Sequence, residues 1–133
     1  MLLGISGALR RESTNSRLVR EAGRLYGGPF VEANLLLPLY DTDLESQGIP
    51  AEVETLASQI ASAEAVVIST PKYNQSLSGV LKNALDWVSR VDGKPWADKP
   101  VALMSAAGGR AGGARANYAL RLAMTPFRPR LLT

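Results

Sequence analysis

The residues able to do chemistry fall in three short segments. The first, Ser6-Gly7-Ala8-Leu9-Arg10-Arg11-Glu12-Ser13-Thr14-Asn15-Ser16, gathers hydroxyls, an amide and two arginines just ahead of an amphipathic stretch. At a helix start, unpaired backbone N–H groups and the positive end of the macrodipole favour an anion, so a phosphate monoester is the natural guest. A second reading has Ser13 and Asn15 capping the helix while the arginines face water; the segment alone leaves both open. The next segment, Pro71-Lys72-Tyr73-Asn74-Gln75-Ser76-Leu77-Ser78-Gly79, is stiffened by proline and carries a flat ring and an amide that donates and accepts. Such a set suits a planar heterocycle with polar edges, or else a plain connection with a surface tyrosine. The third, Ser105 to Gly113, holds Gly108, Gly109, Gly112 and Gly113, which permit close backbone approach to a ligand or a flexible turn.

Other chemistry is closed off. The 133 residues include no cysteine and no histidine, which removes Ser-His-Asp and Cys-His nucleophiles, thiolate redox centres and the usual zinc ligand sets. No metal site and no catalytic side chain are expected, and redox chemistry would have to come from a cofactor. The first segment is neither the Gly-x-Gly-x-x-Gly dinucleotide fingerprint nor a P-loop.

Length and composition fit one soluble domain over residues 1–133, at 46% hydrophobic and 20% charged. No stretch reaches the roughly 18 apolar residues that span a bilayer, and the start lacks a signal-peptide pattern, so no membrane association and a cytoplasmic location are expected. The formal charge of +3 hides a segregation: residues 10–24 carry five arginines against two glutamates, residues 25–71 seven acids and no base, and residues 99–133 six bases and no acid. These blocks read as solvated faces. The bases are not interleaved with aromatics, so nucleic acid is not an expected partner.

The elements that must position the three segments follow from hydrophobic patterning. Leu2–Ser6, Ala65–Thr70 and Val101–Ser105 are continuous apolar runs of the kind buried on both faces of a parallel sheet, with Phe30–Leu36 a weaker fourth. Helical spacing marks Asn15–Tyr26 (Leu18, Ala22 and Leu25 on one stripe), Pro50–Ser62, Gly79–Val88 and Ala111–Leu122. Strict alternation of strand and helix predicts an open, doubly wound α/β sheet, whose ligands bind outside the carboxyl ends of the strands. All three segments follow such strands.

With these residues in view, Thr70-Pro71-Lys72-Tyr73-Asn74-Gln75-Ser76-Leu77-Ser78-Gly79-Val80-Leu81-Lys82-Asn83-Ala84-Leu85-Asp86-Trp87 resembles the NADPH-dependent FMN reductase family. The family pattern there is Thr-Pro-Glu-Tyr-Asn, a Ser, Pro-Gly, then Val-Leu-Lys-Asn-Ala-hydrophobic-Asp-Trp. The first segment is similar to the family's Gly-Ser-Leu-Arg followed by spaced Ser and Asn, and the likeness extends from residue 1 to about Arg121. It implies a flavodoxin-like fold of strand order 2-1-3-4-5, an FMN cofactor, NADPH (NADH possible) as donor, and a small acceptor such as a quinone, azo compound, metal oxyanion or free flavin. It further implies that Ser6, Arg10, Ser13 and Asn15 hold the FMN phosphate. Pro71, Lys72, Tyr73, Asn74 and Ser76 would line the ring and ribityl chain, with Ser105, Gly108 and Gly109 opposite.

Three departures stand out: Ala8 for Ser, Lys72 for Glu, and Ser78 for the Pro before Gly79. A lysine at 72 either sits by the flavin and stabilises its anionic reduced form, or points to solvent. The resemblance also implies a homo-oligomer, dimer or tetramer, with the helix carrying Leu85 and Trp87 near the interface. A flavodoxin-like electron carrier and a basic binding protein stay open as other classes. Finally, the fold calls for a fifth strand and a last helix, of which the final residues at most begin the strand; an incomplete domain with an exposed edge at the fourth strand is therefore expected.

Overall fold

The continuous apolar runs become the middle of one sheet. The computed structural model describes residues 1–132, which form strands β1 (Leu2–Ser6), β2 (Phe30–Glu32), β3 (Ala65–Thr70), β4 (Pro100–Ser105) and β5 (Arg130–Leu131). The α-helices are α1 (Thr14–Tyr26), α2 (Thr42–Glu45), α3 (Ala51–Ser62), α4 (Gly79–Val88) and α5 (Ala114–Met124). All strand pairs are parallel, in the order β2-β1-β3-β4-β5, which is the expected flavodoxin-like arrangement. β1 runs level with β3 to Ser6↔Ser69, and β3 with β4 to Thr70↔Ser105. Their three following loops therefore leave the sheet side by side.

Right-handed crossovers put α1 on one face and α3, α4 and α5 on the other. Leu3 and Ile5 of β1 join Leu56, Ile60, Leu81, Leu85, Leu120 and Met124 in the main core. Gly4 faces α1: a Cβ there would run into Val19 and stand 2.7 Å from the Phe30 ring, so only glycine lets this helix lie so close. This contact explains why the buried stripe of α1 is Asn15, Ser16, Val19 and Gly23. The leucine stripe expected from spacing is displaced, and Leu25 is exposed.

Element ends depart from expectation where local hydrogen bonding competes. β2 stops at Glu32, short of Leu36, because Asn34 Oδ1 accepts from Leu36 N–H at 2.9 Å and turns the chain before Pro38. The following segment is fastened to α4. Trp87 Nε1 and Asn83 Nδ2 donate to Pro38 C=O at 2.7 and 3.0 Å, and the Tyr40 ring stands edge-on to Trp87. Tyr40 Oη and Arg90 Nε in turn donate to Glu45, and these bonds hold its carboxyl below the usual range. Trp87 and Leu85 are thus buried; neither presents a surface to a partner.

α3 begins after Pro50, and α5 begins at Ala114 instead of Ala111 because Gly112 and Gly113 take φ of 58° and 86°. The fifth strand is present but brief, pairing Pro100↔Arg130 and Val101↔Leu131. Among the described residues, no helix is long and apolar enough to cross a membrane.

Candidate functional site

Between the loops after β1, β3 and β4 lies a cleft of about 550 Å³, lined by Ala8, Arg10, Ser13, Thr14, Asn15, Pro71, Lys72, Tyr73, Ala106, Ala107 and Gly108. It sits at the carboxyl ends of the strands where the chain order reverses, the place where open α/β sheets bind ligands. Its volume falls in the range of small-molecule sites.

The first loop is built around two buried side chains. Ser13 caps α1, its Oγ accepting from Asn15 N–H at 3.1 Å. The Asn15 side chain bridges instead of capping: Oδ1 accepts from Ser69 Oγ at 2.8 Å and from Ala106 N–H at 3.0 Å, while Nδ2 donates to Ala106 C=O at 3.1 Å. One amide therefore joins the first loop to β3 and to the loop after β4. Ser6 lies beneath, its hydroxyl engaged by Ser16 Oγ at 2.8 Å and Ala8 N–H at 3.3 Å. Ser6 and Asn15 thus position the loop, leaving Arg10 and the first turn of α1 facing the cleft.

The second loop is pressed onto the first. A Cβ at Gly7 would come within 2.8 Å of Ser78 Oγ and 3.1 Å of Pro71 Cδ. Ser78, where the family pattern has proline, is fully buried and caps α4 through Leu81 N–H. Thr70 Oγ1 donates to Pro71 C=O at 2.8 Å, which fixes where the loop leaves β3. Beyond it, Tyr73 and Ser76 exchange backbone bonds of 3.0 and 3.1 Å around Asn74 and Gln75, both at positive φ. Asparagine tolerates that conformation and glutamine much less, so this turn stores strain of the kind found at binding sites. It holds Tyr73 half exposed at the cleft, whereas Asn74 and Ser76, like Ser6, Ser105 and Gly109, are not among the residues that line it.

The third loop is closed by Ser105, whose Oγ donates to Gly112 C=O at 2.9 Å. Gly108 borders the cleft and would meet nothing with a Cβ added, whereas Gly109 lies 3.5 Å, measured from such a Cβ, from Lys72 Nζ. Among the described residues no carboxylate comes within 4.0 Å of Arg10, Arg11, Lys72 or Arg110. Two of these cations, Arg10 and Lys72, line the cleft, and among the described residues neither has an ion-pair partner.

The segments found by composition thus converge. Sequence reasoning missed Ala8, Thr14, Ala106 and Ala107 as lining residues and Ser69 as a partner of Asn15. Thr14 was legible as a hydroxyl in the first helical turn; the alanines carried no signal, since their contribution is backbone.

A parallel 2-1-3-4-5 sheet with helices on both faces and a cleft at its switch point defines a flavodoxin-like fold. The model of the NADPH-dependent FMN reductase family matches residues 1–130, and the chain belongs to that family. An NAD(P)H-dependent FMN reductase of Pseudomonas aeruginosa is 46% identical over 123 residues, covering 90% of this chain and 66% of the relative. A quinone reductase of Escherichia coli K12 is 45% identical over 121 residues, covering 86% and 64%. The chain therefore spans just under two thirds of the length of these curated relatives. Among solved structures, a flavoenzyme NAD(P)H:(acceptor) oxidoreductase from Paracoccus denitrificans superposes with a TM-score of 0.90 at 31% identity, covering 99% of this chain and 74% of that one.

Proposed function

We propose that this chain is the FMN-binding domain of an NAD(P)H-dependent oxidoreductase that passes reducing equivalents to a small acceptor: a quinone, azo compound, metal oxyanion or free flavin. The observation that carries the proposal is the convergence of three loops on one cleft, with unpaired cations and a helix N-terminus beside residues suited to a flat heterocycle. The residues fit FMN on their own chemistry. Arg10 and the first turn of α1 suit a phosphate, Tyr73 suits a ring face, and open space at Gly108 admits a ligand close to the backbone.

Bound FMN would supply the hydride chemistry, accepting from a nicotinamide and delivering to the acceptor. The side chains supply placement. Ser13 presents the α1 terminus, Asn15 keeps the loops around it in register, and Pro71 and the strained 74–75 turn fix the ring wall. Arg10, Arg11 and Arg110 are candidates for a 2′-phosphate contact that favours NADPH over NADH. No side chain is assigned as general acid or base.

We further propose a homo-oligomer working in the cytoplasm, where reduced pyridine nucleotides are made. Leu36 and Leu39, exposed at 69% and 81% on the segment fastened to α4, are the apolar surface that supports association. Light scattering on the purified chain tests this; a monomer at high micromolar concentration would overturn it.

The functional test is direct. The protein is purified, loaded with FMN if colourless, and given NADPH under anaerobic conditions. Rapid bleaching of the flavin band is the expected result. A yellow protein that stays yellow would be an electron carrier, and one that takes up no FMN would sink both readings.

A further inference from the structure

We propose that Lys72 sets the redox balance of the bound flavin, acting as the fixed counter-charge of its anionic reduced form. The proposal rests on the FMN reading above and concerns a residue at which this chain departs from the family pattern. Sequence left two outcomes for this side chain, and the geometry favours one. Lys72 is half buried and lines the cleft. Its Nζ reaches across from the loop after β3 toward the glycine loop after β4, 3.5 Å from where a Cβ on Gly109 would stand. No carboxylate among the described residues lies within 4.0 Å of it. A lysine with an acidic neighbour would be neutralised locally; this one keeps its field for whatever occupies the cleft.

The position in the cleft decides which part of the ligand feels that field. Arg10, Ser13 and Thr14 occupy the end at the α1 terminus, where a phosphate belongs. Lys72 stands with Pro71, Tyr73 and Gly108 on the loops after β3 and β4, at the end left for the ring. When oxidised flavin takes a hydride from a nicotinamide, one C–H bond of the nicotinamide breaks, an N–H bond forms at flavin N5, and two electrons and one proton transfer together. The nicotinamide leaves oxidised, and the flavin gains one negative charge, spread over its pyrimidine end. Oxidised flavin is neutral there, so a nearby ammonium stabilises the product more than the reactant and shifts the equilibrium toward reduction. A glutamate at this position has the opposite sign.

The test uses FMN-loaded protein and readouts that need no turnover. Wild type, Lys72→Gln, Lys72→Glu and, as a remote control, Lys82→Gln are compared for FMN affinity, midpoint potential by anaerobic dye equilibration, and affinity for sulfite. Sulfite adds to N5 through its sulfur lone pair and leaves the same anionic ring, so its binding reports the stabilising charge alone. Lys72→Gln is expected to weaken sulfite binding about tenfold and to lower the potential by about 30 mV, the equivalent of tenfold in a two-electron couple. Lys72→Glu should go further in the same direction, and Lys82→Gln should match wild type. The difference in potential should also shrink at a pH low enough to protonate the reduced ring, which a merely structural role for Lys72 would not produce. Equal potentials and sulfite affinities in wild type and Lys72→Gln, with FMN bound in both, overturn the proposal and leave the FMN reading standing. Failure of wild type itself to bind FMN overturns that reading instead.

Discussion

Two cavities of this molecule open at opposite edges of its sheet and differ in more than size. A space of about 710 Å³ lies at the opposite edge of the sheet, among Val88, Ser89, Trp96, Asp98, Phe127 and Arg128, against about 550 Å³ for the cleft between the three loops. The difference is one of direction. The larger cavity gathers the C-terminal end of α4 and the chain leading into β4 and β5, where helix carbonyls accumulate beside Lys94, Asp98 and Arg128. The smaller cleft gathers the N-terminus of α1, strand carboxyl ends and unpaired cations. The crossover helices run antiparallel to the parallel strands, so helix N-termini gather at the strands' carboxyl edge and helix C-termini at the other, whatever the volumes.

That contrast can be broken or sharpened by substitution. The largest effect is expected from Asn15→Ala, which strips three hydrogen bonds holding the loops together and leaves Ala106 N–H without its partner. It should cost about 2–4 kcal/mol in urea unfolding, with FMN affinity falling at least 100-fold by fluorescence titration.

Gly7→Ala comes next, because its Cβ would push against Ser78 Oγ and the Pro71 ring. Overpacking of this kind costs about 1–3 kcal/mol, and the spreading loops should weaken FMN roughly tenfold. Arg10→Ala should leave the unfolding midpoint unchanged, since the side chain is exposed and makes no ion pair among the described residues. It should weaken FMN about tenfold while sparing riboflavin, as expected for one lost charge-assisted contact to phosphate. Comparable losses for both ligands would place the phosphate elsewhere.

Trp96→Phe probes the other edge and should do least. Trp96 Nε1 is buried without a hydrogen-bond partner among the described residues, so removing it should leave stability within about 1 kcal/mol and FMN affinity unaltered. A large loss of flavin in this variant would overturn the assignment of the two cavities.

The parts of the fold legible in the sequence were those decided by local pattern. β1 and β3 appear as unbroken apolar runs with the expected ends, and α4 begins and ends as its spacing indicates. The misreadings have two origins, one in long-range packing and one in local hydrogen bonding and backbone conformation. In α1 the buried stripe runs through Asn15, Ser16, Val19 and Gly23 because the helix lies against Gly4, a fact about packing that leucine spacing does not contain. β2 ended early and α5 started late because a single asparagine side chain and two left-handed glycines outweighed the apolar pattern.

The site divides in the same way. Sequence by itself determined which residue types stand after β1, β3 and β4, that no histidine or cysteine chemistry is available, and the family to which the motif belongs. Only the tertiary structure decided what each of these residues touches. Asn15 meets Ser69 and Ala106 at separations of 54 and 91 residues; Ser6 turns inward to Ser16; and Lys72 reaches toward the glycine loop. Propensity and periodicity act over a few residues, whereas the partner of a buried polar group is set by which distant strands the sheet brings together.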